Sequence, residues 1–189
     1  MNIHQIKKYW ADSAQVIYTY KPSQLNNPRL SKETIDFLVK CGLPNSCAPG
    51  LSFDKCEKAT VPTPNQIFNI DFDELNDYLM IGSNGCGDPV CIDLNNDNEI
   101  VYLNHDNYFE RIFMNSSVQQ LTECIIKYRD FHASLDPRIE NNNFIKRKFS
   151  DEEFDKVCTD FQRIDDKSLL DNNCWKAELD YLLWERDNE

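Results

Sequence analysis

No stretch of this chain stays apolar over the ~18 residues that a membrane-spanning helix needs, so a transmembrane reading fails. The opening residues, Met1 to Lys8, lack the apolar run of a signal peptide, and a cytoplasmic location is expected. Positive charge is also short: 20 basic residues stand against 32 acidic ones, a net charge of -12. A surface that negative repels phosphate backbones, which argues against direct nucleic-acid binding and for a basic protein partner. Histidine is scarce, with only His4, His105 and His132, and neither histidines nor cysteines show the paired spacing of a zinc site. The eight cysteines form no C-x-x-C pair and several lie among apolar neighbours. Free, reduced thiols behaving as small hydrophobes are therefore expected, with no disulfide framework, metal or cofactor. Internal repeats and low-complexity tracts are absent.

What is present is an ordinary soluble composition, 41% hydrophobic and 28% charged over 189 residues, enough for one domain to fold without a covalent staple. Ile3, Ile6 and Trp10 recur at helical spacing near the start. Ser31 to Cys41 reads as a helix with Ser31 as cap, Ile35, Leu38 and Val39 as apolar face, and Gly42 and Pro44 as stop. A prolyl-rich loop with a brief strand at Leu51–Phe53 follows. From 67 to 114 the period is read as two, predicting an antiparallel meander whose polar turns leave no room for crossover helices. Ser117 and Gln120 suggest a capping box before a helix carrying Val118, Leu121, Ile125 and Tyr128 on one face. Residues 136–149 read as a linker. Ser150 and Glu153 open a helix striped by Phe154, Val157, Cys158, Phe161 and Ile164, and a last helix carries Trp175, Leu179, Leu182 and Leu183. Residues 150–189 hold 13 acidic and 5 basic residues, two thirds of the excess charge.

Three motifs invite chemistry. Gly82-x-x-Gly85-x-Gly87 leads into Pro89 and a strand rather than a helix, so it reads as a tight turn needing positive φ, not a phosphate loop. Asp93-x-Asn95-x-Asp97 resembles the start of a calcium loop, but Asn98 replaces its glycine and Asn104 its final glutamate, which leaves a polar hairpin. Cys86 and His105 could form a thiolate–imidazole pair, although nothing in the sequence orients them. No catalytic residue is assigned.

The run Tyr78-Leu-Met-Ile-Gly-Ser-Asn-Gly-Cys-Gly-Asp-Pro-Val-Cys-Ile-Asp-Leu94 resembles the central signature of the SUKH superfamily. There a strand ends in a glycine turn, then Gly-Asp-Pro and a strand of the type Ile-Cys-Ile-Asp. Trp10, Phe37-Leu-Val-Lys-Cys-Gly-Leu-Pro44, Val101-Tyr-Leu-Asn-His-Asp106 and Phe113-Met-Asn-Ser-Ser-Val118 match further segments in order. The likeness covers residues 1–135; the tail from Asn141 onward has no matched counterpart. It implies an α+β fold with a curved antiparallel sheet flanked by helices. It also implies an interaction protein, since bacterial members are mostly immunity proteins that bind and neutralise a toxin domain, and eukaryotic relatives act in cell-wall regulation.

These readings together predict a SUKH-like domain at 1–135 and an acidic helical extension at 150–189 packed on it. The leading functional expectation is a cytoplasmic immunity protein that blocks a basic toxin, a nuclease among the candidates. A regulatory adaptor with no toxin, and an enzyme using Cys86 and His105, are the alternatives. The partner-binding residues expected are Asp73, Glu74, Asp77, Asp88, His105 and Asp106 on the sheet rim, with the acidic turn at Asp151, Glu152, Glu153 and Asp155 as the competing surface.

Overall fold

Asn2 starts the first helix, α1 (Ile3–Asp12): its side chain accepts from the Gln5 amide at 2.9 Å, and its own amide donates to the Gln5 side chain at 2.8 Å. The computed structural model describes residues 1–135 and 149–188; apart from Phe149, the expected linker lies outside the described residues. Ile6 and Trp10 bury the inner face of α1. A two-residue strand, β1 (Ile17–Tyr18), pairs antiparallel with β2 (Leu43–Pro44) across the second helix, α2 (Lys32–Lys40). The Ser31 hydroxyl accepts from the Thr34 amide at 3.1 Å, as the cap expects. Gly42 ends the helix at φ +75°, where an added Cβ would lie 2.3 Å from the Tyr18 carbonyl oxygen. The buried residues of α2 are Thr34, Phe37 and Leu38, while Ile35 and Val39 flank the core only partly buried. The face is rotated from the expected one because Phe37, the largest side chain available, turns inward.

The sheet runs β3 (Ser46–Cys47), β4 (Leu51–Phe53), β5 (Tyr78–Ser83), β6 (Pro89–Asp93), β7 (Ile100–Asn104) and β8 (Glu110–Asn115) in chain order, each pair antiparallel. Val90 faces Tyr102 and Ile92 faces Ile100, the antiparallel register expected. The period-two segment begins at Tyr78 and not at 67. Thr63 and Pro64 start a short helix, α3 (Pro64–Phe68), and a 3-10 turn spans Asp73–Asp77. Asn65 staples this segment: its side-chain amide donates to the Phe72 carbonyl at 2.8 Å and its oxygen accepts from the Phe72 amide at 3.2 Å.

Successive strand residues point to opposite faces. Leu79, Ile81, Val90, Ile92, Ile100 and Met114 belong to the main core with the helices. Cys91, Val101 and Leu103 face the other way, where Leu75, Ile70, Tyr78 and Phe109 cover them. Of the glycines read as a tight turn, only Gly87 has positive φ, +88°. Gly82 instead lies in β5 at a register shift, where β4 approaches closely.

The helices α4 (Val118–Leu135), α5 (Asp151–Ile164) and α6 (Cys174–Asn188) complete the α+β fold. Val118, Leu121, Ile125 and Tyr128 of α4 are buried as expected. The capping box at Ser117 is half made: the Gln120 amide donates to Ser117 Oγ at 3.2 Å, but the Gln120 side-chain nitrogen turns to the Ile164 carbonyl at 2.9 Å. The box at Ser150 is complete. Val157 and Phe161 of α5 and Trp175, Leu179 and Leu182 of α6 are buried in the main core.

A polar knot ties these last helices to the sheet. The buried Asn115 side chain donates to Asp165 Oδ2 at 3.1 Å and accepts from Trp175 Nε1 at 2.8 Å. Asp165 also accepts from the Ser116 amide at 2.6 Å and the Ser116 hydroxyl at 3.0 Å.

Candidate partner-binding site

Two loops on the face of the sheet opposite the main core build a surface that combines carboxylates with exposed rings. The first loop precedes β5, and the second joins β7 to β8. Asp88 anchors their neighbourhood from beneath the surface, being only 6% exposed. Asn84 shapes the glycine turn by accepting from the Cys86 and Asp88 amides and donating to Asp88 Oδ2 at 2.8 Å. Asp88 Oδ1 then accepts from the His105 amide at 3.0 Å and lies 2.6 Å from His105 Nδ1. Burial alone pushes the Asp88 carboxyl up and is the largest single influence, yet the bonds from His105 and Asn84 together hold it below the usual carboxylate range. The other ring nitrogen of His105, Nε2, is 3.4 Å from Asp106. Both imidazole nitrogens therefore face carboxylates rather than the exposed Cys86 thiol.

The remaining expected residues divide. Glu74, His105 and Asp106 line one cup of about 680 Å³. Asp73 is exposed beside it. Asp77 points elsewhere, with Arg29 at 2.6 Å and the Asn95 side chain at 2.8 Å, and these partners, Arg29 foremost, hold its carboxyl below the usual range. The acids at the far edge are neutralised similarly: Arg111 bonds Asp93 at 2.7 Å and Glu99 at 2.5 Å, and Lys167 reaches Glu99 at 3.0 Å. Among the described residues, Glu74 has no ion-pair partner, and no group of three or more His, Cys, Asp or Glu is placed to hold a metal ion.

Sequence reasoning missed the aromatic half of this cup. Phe72, Tyr78, Tyr108 and Phe109 complete its lining. Phe72 is 51% exposed and Tyr108 97%, the most exposed large hydrophobic side chain among the described residues. The Phe68 and Phe72 rings each sit about 6 Å from Phe109 (6.1 and 6.0 Å). Tyr108 and Phe109 occupy the left-handed region consecutively, at φ +52° and +58°. For bulky residues this costs about 1–2 kcal/mol each. The turn imposes it: Asn104 accepts from the Asp106 amide at 3.1 Å, and the Asn107 side chain donates to Glu110 at 2.7 Å. Tyr108→Gly is accordingly expected to leave thermal stability unchanged or raised, by up to about 1 kcal/mol, because strain leaves and no packing is lost. A clear fall in the unfolding midpoint would show that the ring supports the fold.

Rings held in the open by a strained loop, beside a Glu74 carboxylate without a counter-ion among the described residues and an Asp106 carboxylate faced only by His105, suit the capture of another protein. A family model described as SUKH-4 immunity protein matches residues 11–181. The chain belongs to the SUKH-4 immunity protein family. Membership supports an immunity role and, with it, a toxin as binding partner. The match takes in α5 and the first half of α6, so the acidic C-terminal helices fall within the family's extent. No curated protein and no solved structure matches the chain. Among the described residues no helix is long and apolar enough to cross a membrane.

Proposed function

We propose that this SUKH-4 protein neutralises a basic toxin domain in the cytoplasm by covering it with the acidic, aromatic surface around Glu74, Asp106, Phe72 and Tyr108. In this reading residues 1–135 form the toxin-facing domain, with 150–189 an acidic extension packed behind it. Asp88 and His105 hold the presenting loops together, while Asp73 adds charge at the margin. Asp77 contributes through its link to Arg29 rather than by contact. The observation that carries the reading is the pairing of two carboxylates, Glu74 with no ion-pair partner among the described residues, with the highly exposed Tyr108 ring in one cup. A nuclease suits the complement, because a protein that grips phosphates displays the cations this surface attracts.

The test is association kinetics with the cognate toxin domain. Reversing charge at Asp73, Glu74 and Asp106 together should slow association about tenfold at low ionic strength and flatten its salt dependence. Reversal at Asp151, Glu152 and Asp155 should leave the rate near that of the unaltered chain. The opposite pattern would move the contact to α5.

A further inference from the structure

We infer that the cup formed by Phe72, Glu74, Tyr78, Asp106, Tyr108 and Phe109 is a receptor for one arginine side chain presented by the partner. The inference rests on the toxin-binding reading above and specifies its chemistry. Two carboxylates, Glu74 and Asp106, line the cup, and no lysine or arginine does. An acidic or phosphorylated segment would meet repulsion there. A purely apolar anchor would fill the space against the rings but strip water from two carboxylates without pairing them, which is costly. A cation with a flat, weakly hydrated head meets both demands. Guanidinium lies on aromatic faces and bonds a carboxylate through two parallel N–H groups, whereas an ammonium is a compact, strongly hydrated point charge. The opening of about 680 Å³ leaves room for the arginine and the residues beside it.

The surroundings reinforce the choice. His105 also lines the cup: Nδ1 is held by the buried Asp88 and Nε2 lies 3.4 Å from Asp106. The imidazole is thus fixed at the wall, and Glu74 is the carboxylate left without an ion-pair partner among the described residues. Asp106 is 88% exposed at its side chain and keeps an open approach. Phe72 is fixed through its backbone by Asn65, so the cup exists before a partner arrives.

The experiment titrates the intact chain, labelled for two-dimensional amide NMR, with N-acetyl-arginine amide, N-acetyl-lysine amide and the neutral isostere N-acetyl-citrulline amide. Arginine should move the amides of Phe72, Glu74, Asp106 and Tyr108, lysine more weakly, and citrulline hardly at all. The E74Q/D106N variant, which alters exposed side chains without changing their size, should bind arginine roughly tenfold more weakly with the rest of its spectrum unchanged. Shifts that are absent, lie elsewhere, or are equalled by citrulline would overturn the inference. Protection of cells that co-express the cognate toxin separates the two levels of the argument. If the unaltered chain and E74Q/D106N protect equally, the arginine receptor fails and the immunity reading stands. An arginine response in a chain that gives no protection supports the receptor and removes the toxin as its partner.

Discussion

Asp165→Ala is expected to lower stability by about 3–5 kcal/mol, and the unfolding midpoint by roughly 10 °C or more. Asp165 is 3% exposed, and its carboxylate accepts from the Ser116 amide, the Ser116 hydroxyl and the Asn115 side chain. Truncation leaves the Asn115 amide unpaired in a buried site and takes the acceptor from two half-buried Ser116 donors. The loss spreads further, because Asn115 also receives the indole N–H of Trp175, a fully buried residue of α6. Networks of this kind respond cooperatively to the removal of one member. Asp165→Asn keeps one acceptor and should fall between wild type and alanine. Asp171→Ala, on the exposed turn that follows, should change stability by less than about 0.5 kcal/mol. Urea unfolding monitored by tryptophan fluorescence checks the series; a cost below about 1 kcal/mol for Asp165→Ala would mean that the knot does not hold the C-terminal helices.

Gly82→Ala should be nearly as damaging, at about 2–4 kcal/mol, for a steric reason. A Cβ there would lie 2.3 Å from the Ser52 carbonyl oxygen and 2.8 Å from Phe53 Cδ1. The first obstacle is backbone, and it belongs to the strand paired with β5, so relief requires β4 to part from its neighbour. Gly87→Ala meets nothing within 4 Å but sits at φ +88°, so it should cost about 1 kcal/mol through strain alone. Gly85→Ala, with its nearest atom at 3.7 Å and a backbone outside the left-handed region, should be the mildest. Thermal unfolding of the three variants tests the order, and a Gly82→Ala protein as stable as Gly85→Ala would show that β4 moves freely.

These two predictions mark where the sequence is legible and where it is not. Elements whose signals are local can be read directly: the Ser150–Glu153 box opens α5, the apolar face of α4 is the one its spacing names, and β5 to β8 pair in chain order. The glycine run is harder, since one glycine serves positive φ, another a close approach from β4, and nothing in the spacing separates the roles. Ile67 looks like strand until Thr63 and Pro64, just upstream, are weighed as a helix start. Within the candidate site, Glu74 and Asp77 are indistinguishable as sequence, yet Arg29, 48 residues away, claims only Asp77. Phe72, Tyr108 and Phe109 pass for ordinary core residues because aromatics seldom sit in left-handed turns. The one available hint is the Asn104 to Asn107 turn immediately before Tyr108, which supplies the side-chain bonds that force the chain over.

From Tyr78 to Asn115 every sheet neighbour is also a sequence neighbour, joined by connections of five or six residues. Such closures carry little entropic cost, and hairpins of this kind form in roughly 1–10 μs. The bond between Asn115 and Trp175 spans 60 residues and must come later. Order of assembly thus follows order of synthesis: β5 to β8, and with them the turn that carries Tyr108, can take shape while α6 is still being made. If the loops proposed above make the contact, their early construction shortens the interval in which a newly made toxin meets no antagonist.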